Sequence, residues 1–146
     1  MTAAYLDRGA DILLVDDLST GKHPSGWLMD FVYCPRSEKA GLIQWKRGTQ
    51  SVFFLQGDAV TIFQDAIAGK NALSREIFSD VIHLAAIVRG REVIEGDPLL
   101  VSKDLALDSL FFLWATRRKE TIGRVLYASS SAAYPVHLQA TEGHVA

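Results

Sequence analysis

The stretch Asp80-Val81-Ile82-His83-Leu84-Ala85-Ala86-Ile87-Val88-Arg89-Gly90 decides how the rest of the chain is read. It is a short continuous apolar run that ends in small residues and a glycine. A run bounded in this way is the pattern of a fully buried parallel strand. In open parallel sheets, ligands sit beyond the carboxyl ends of the strands. Alanine at positions 85 and 86 leaves room there that a bulky side chain would fill. The plain alternative is a core strand followed by an ordinary loop.

Working outward, Asp11 to Asp16 holds the aliphatic run Ile12-Leu13-Leu14-Val15 and reads as a strand, after a short helix over Met1 to Arg8 that Gly9 stops. Val52 to Gln56 is a second strand, closed by Gly57-Asp58. Ala59 to Ala68 has Val60, Phe63 and Ile67 at helical spacing, and Leu73 to Phe78 reads as a further helical turn or two. On the other side, Asp97-Pro98 is a helix start, with an oxygen-bearing cap and then proline. That helix runs to about Arg118. Leu100, Leu107, Phe111 and Trp114 form one stripe, and Val101, Leu105, Leu110 and Leu113 widen it, which implies burial on two sides. Arg124 to Ala128 is the last strand. Residues 22–51 read as an irregular insertion containing some short helix. The order of these elements is that of a doubly wound α/β parallel sheet over one domain, residues 1–146.

The bulk composition excludes several classes. A net charge of -2 with no basic block offers no argument for nucleic-acid binding, and none is expected. Cys34 is the only cysteine, so no internal disulfide can form and a reducing compartment fits. No stretch reaches the apolar length of a membrane span, and Asp7 and Arg8 stand where a signal peptide would be apolar. These features predict a cytoplasmic protein. His23, His83, His137 and His144 lack the spacing of a metal site, so none is expected. His83, inside an apolar run, reads as a packed and hydrogen-bonded core residue.

Three stretches together resemble a known family. Asp80 to Ala86 with Gly96-Asp97-Pro98, Ile12 to Gly21, and Tyr127-Ala128-Ser129-Ser130-Ser131-Ala132-Ala133-Tyr134 are similar, in order, to motifs of the extended short-chain dehydrogenases/reductases. This is the NAD-dependent epimerase/dehydratase group, many of which act on nucleotide sugars. The resemblance covers almost the whole chain, least over Lys22 to Ser51. It implies a Rossmann-like, NAD-binding domain. In such a domain the Asp16 carboxylate accepts the ribose hydroxyls of the adenosine half and repels a 2′-phosphate, which favours NAD over NADP. Asp17 and Leu18 belong to the same site, although Asp17 stands where the family often has Asn. Asp58 and its neighbour Ala59 would hold the adenine edge; as a plain alternative, Asp58 only caps the following helix. Leu84, Ala85 and Ala86 would line the cofactor, and Ser130 would be the catalytic serine that hydrogen-bonds the substrate oxygen. Asp104 stands where many members carry Asn. The wide stripe and the resemblance together predict that, in the complete relative, the helix 98–118 lies at a homodimer interface, to be tested at Leu107 and Phe111; the plain alternative is burial of the stripe inside one subunit.

Two family motifs are missing. No G-x-G-x-x-G occurs, and no tyrosine has a lysine four residues on: Tyr5, Tyr33, Tyr127 and Tyr134 are followed there by Gly9, Ser37, Ser131 and Leu138. The expectation is therefore a fragment truncated at both ends, with an incomplete doubly wound parallel sheet that lacks its first strand, and inactive as this chain alone. Removing that strand should leave two parallel pairs with a gap between them. The rival reading is a non-catalytic remnant or a partner-binding fragment that uses the long helix.

Overall fold

Two sheets, not one, organise the chain. The computed structural model describes residues 1–86, 96 and 98–128. In chain order the elements are α1 (Thr2–Asp7), β1 (Ile12–Asp16), β2 (Val32–Cys34), β3 (Ile43–Arg47), β4 (Gln50–Gln56), α2 (Ala59–Ile67), β5 (Phe78–His83), α3 (Pro98–Arg117) and β6 (Ile122–Tyr127), with 3-10 turns at Pro24–Gly26 and Ala72–Ser74. Strands β1, β4, β3 and β2 form one sheet in that spatial order, and β5 and β6 form a separate pair.

This overturns the expected Rossmann-like, incomplete doubly wound parallel sheet. Within the larger sheet only β1 and β4 are parallel; β3 runs antiparallel to β4 and β2 antiparallel to β3. The physical cause is the segment read as an irregular insertion. It folds as a hairpin and occupies the edge of β4 that points away from β1. Gly48 makes the turn possible, since its φ of 59° is a conformation that a side chain disfavours. Arg47 and Gln50 then pair across it. Residues Leu73 to Phe78, read as helical, hold only the Ala72–Ser74 turn before β5 begins. The parallel pairs β1–β4 and β5–β6 belong to separate sheets.

The aliphatic run of β1 is explained by burial on both faces. Ile12 and Leu14 pack against a cluster of Leu6, Leu28, Phe31, Trp45, Val52 and Phe54. Leu13 and Val15 point the other way, to a cluster built on α2 and α3. Its centre is aromatic: Phe63 lies 5.6 Å from Phe111 and 5.5 Å from Trp114, centroid to centroid. The Trp114 indole N–H donates to the Leu73 carbonyl at 3.1 Å, so its polar edge is satisfied inside the core. Leu55 from the first sheet and Phe78 and Val81 from the second reach the same cluster. The two sheets thus share one apolar core without sharing a hydrogen bond ladder.

The wide stripe of α3 is buried on one side only. Leu107, Phe111 and Trp114 are buried, whereas Val101, Leu105, Phe112 and Leu113 are exposed. The expected burial on two sides does not occur in this chain.

Candidate functional site

The site is built where β1 and β4 end together. Their register places Asp16 opposite Gln56. The Gly57 N–H then donates to the Asp16 carbonyl at 3.1 Å, so the two strands stay side by side for one more residue. Each strand end carries carboxylates: Asp16 closes β1 and Asp17 follows it, and Asp58 follows β4.

Local hydrogen bonds fix each one. Asp16 Oδ1 accepts from the Leu18 N–H at 2.7 Å, and Asp17 Oδ1 from the Ser19 N–H at 2.9 Å. These side-chain turns favour backbone that ordinary residues avoid. Leu18 shows the result, with φ at 63°, the single positive value for a non-glycine residue among those described. The chain then curls back at Gly21, where a Cβ atom would lie 3.0 Å from Asp16 Oδ2. Glycine there keeps that second oxygen open. The hydrogen bond from Ser19 holds the Asp17 carboxyl below its usual range.

Asp58 does two jobs. Its Oδ1 accepts from the Val60 N–H at 2.8 Å, which caps α2. Its Oδ2 lies 2.9 Å from Lys103 Nζ, an ion pair that ties the start of α2 to α3. The Lys103 hydrogen bond, ahead of the cap, lowers the Asp58 pKa, and Asp58 raises that of Lys103. Asp17 lies close enough to feel both charges.

The structure therefore brings Asp16, Asp17, Leu18, Asp58 and Ala59 to one strand end. Leu84, Ala85 and Ala86 follow β5 on the other sheet and are exposed. Ser130, with the cap residue Asp97, lies outside the described residues. Lys103 was missed by sequence reasoning. A signal existed: it stands four residues before Leu107, on the face of α3 that turns inward one helical step later.

A second polar group sits at the carboxyl ends of β5 and β6. His83 is buried, with its ring stacked on Phe111 at 4.1 Å, and its Nε2 lies 3.2 Å from Asp108 Oδ1. The Tyr127 hydroxyl donates to Asp108 Oδ2 at 2.6 Å. That hydrogen bond to Asp108 raises the Tyr127 pKa, which unfits the phenol as a base near neutral pH. His83 is packed and bonded, as a core histidine should be.

Two clefts, of about 340 Å³ beside α1 and about 470 Å³ beside the Ala72–Ser74 turn, share no lining residue with the carboxylate site. Among the described residues, no group of His, Cys, Asp and Glu side chains could hold a metal ion, and no helix is long and apolar enough to cross a membrane. No family model, no curated protein and no solved structure matches this chain.

Proposed function

We propose that this chain is the adenosine-binding part of a nucleotide-sugar epimerase/dehydratase-like enzyme that uses NAD, and that it is inactive by itself. One observation supports this reading above the others: Asp16 ends β1, and Asp58 follows two residues after the end of β4, its parallel neighbour. That is where ligands approach α/β sheets. The residues present suit the adenosine half of NAD. Asp16 Oδ2 is open beside Gly21 and can accept ribose hydroxyls. Asp58 offers an acceptor to the adenine amino group, with Ala59 beside it. Asp17 and Leu18 shape the turn between them.

NAD, when bound, supplies a hydride acceptor for transient oxidation of a sugar carbon. The part left to this chain is to hold the adenosine end and, through Ser130, to hydrogen-bond the substrate oxygen. Of the groups expected to move a proton, the sequence carries no Y-x-x-x-K pair, and Tyr127 is engaged by Asp108. The substrate class is a nucleotide sugar and the compartment the cytoplasm; no nucleic acid or membrane partner is proposed. Calorimetric titration tests the site. NAD should bind weakly, more weakly than micromolar, and better than NADP, and Asp16→Ala should remove the preference. Tighter binding, or a preference for NADP, contradicts the reading.

The exposed apolar row on α3 supports a second reading, a fragment that binds a protein partner or a second copy through this helix. Val101, Leu105 and Phe112 lie on the side away from the core, and Phe112 continues the surface to Tyr127, 5.2 Å away. Light scattering separates the two outcomes: self-association without nucleotide binding favours this second role.

A further inference from the structure

The donors at the carboxylate site are of two kinds. The N–H groups of Leu18, Ser19 and Val60 are backbone, fixed by turn and cap geometry on Asp16, Asp17 and Asp58. Lys103 is different. Its ammonium reaches Asp58 Oδ2 from another element, on a flexible stem, and its side chain is 55% exposed. It can therefore leave without disturbing the backbone.

We infer that Lys103 is a built-in competitor for the base: its ammonium holds the Asp58 oxygen that an adenine amino group needs, and binding requires it to turn away. This inference rests on the reading of Asp58 as the adenine acceptor. A carboxylate oxygen can accept twice, but an ammonium 2.9 Å away covers the open side of a group that is 38% exposed. It also draws off the charge that makes the oxygen a strong acceptor. The cap on Oδ1 persists throughout, so α2 keeps its start whether Lys103 is seated or not.

The competition is readable because an exposed ion pair is weak and salt-sensitive. The probe is adenosine, which is neutral and brings no salt dependence of its own, followed by ligand-observed NMR on the whole chain. Lys103→Met keeps the stem and removes the charge, and should tighten adenosine binding about two- to fivefold, the range such a pair commands. Lys103→Arg should stay near wild type. In the unmodified protein, raising the salt concentration should tighten binding, and in Lys103→Met it should not. Adenosine binding that is unchanged or weakened in Lys103→Met, or that is indifferent to salt in the unmodified protein, overturns the competitor role and leaves the site. Adenosine that binds to none of these proteins overturns the site itself, and the competitor with it.

Discussion

Gly123 has no room for a side chain. A Cβ there would lie 2.4 Å from the Ser79 carbonyl oxygen, which is backbone and cannot rotate away. Gly123→Ala should therefore push β5 and β6 apart and cost about 1–3 kcal/mol by urea denaturation. Gly9→Ala is the contrast: φ is 77° but nothing lies within 4 Å, so only backbone strain is added, about 1 kcal/mol. Asp58 allows a sharper separation. Asn caps a helix as well as Asp does but loses the Lys103 ion pair, so Asp58→Asn should cost only about 0.5 kcal/mol at neutral pH, while Asp58→Ala should cost about 1–2 kcal/mol. The pH dependence has a definite sign. The folded-state pKa of Asp58 is depressed below 3.8, so its contribution is present above that pH and is lost as pH falls through the folded value. Asp80, lowered by Arg124, and Glu38, lowered by Lys46, act with the same sign. Denaturation midpoints measured below pH 4 should fall less steeply in Asp58→Asn than in the unmodified chain.

At the scale of elements, α3 carries the clearest division of labour. Leu107 and Phe111 were the residues expected at a dimer interface, but they are core. Phe111→Ala should cost about 3–5 kcal/mol, and Leu107→Glu should unfold the chain. The outward row is the place to test association: Leu105→Glu with Phe112→Glu should keep the circular dichroism spectrum and lower the apparent mass in light scattering. An unchanged mass in a chain that does associate would place the contact elsewhere. The helices and the parallel strands were legible because their patterns are strong: Val60, Phe63 and Ile67 at helical spacing, and Ile12 to Val15 as an unbroken aliphatic run. The hairpin was not, because only one face of it is apolar, through Ile43, Trp45, Val52 and Phe54, while the other buries polar side chains. Gln44 is fully buried yet satisfied, its amide donating to Glu38 and Ser51 and its carbonyl accepting from the Glu38 N–H. The alternation Ile43-Gln44-Trp45-Lys46 is present but spans only four residues, too short to stand out from the mixed sequence around it. The carboxylates were legible as residues, but their partner Lys103 was not, since the pairing depends on how α3 crosses α2.

For the whole molecule, the decisive fact is two sheets on one core. Edges of β1 and β5 are free of strand partners among the described residues, and Val125, Leu126 and Tyr127 of β6 are exposed. Bare edges and exposed aliphatic strand residues favour association. The chain expressed alone should therefore tend to associate and to bind a hydrophobic dye through these edges. A strict monomer that binds no dye would show that the edges are covered. Purified protein given NAD and a panel of nucleotide sugars should show no turnover. Activity abolished by Ser130→Ala would overturn that expectation.

The β3–β4 hairpin also sets an order in time. Arg47 meets Gln50 across Gly48 and Thr49, whereas Ile12 must find Val52, and Val81 must find Val125, across long intervening chain. A hairpin closes in about 1–10 µs, while distant parallel pairing first has to overcome the entropy of closing a long loop. The hairpin should then be the template on which β1 docks, with the β5–β6 pair last. Trp45→Phe should slow refolding, and Ile122→Val should mainly speed unfolding. The segment that looks like an interruption of the fold would be its nucleus.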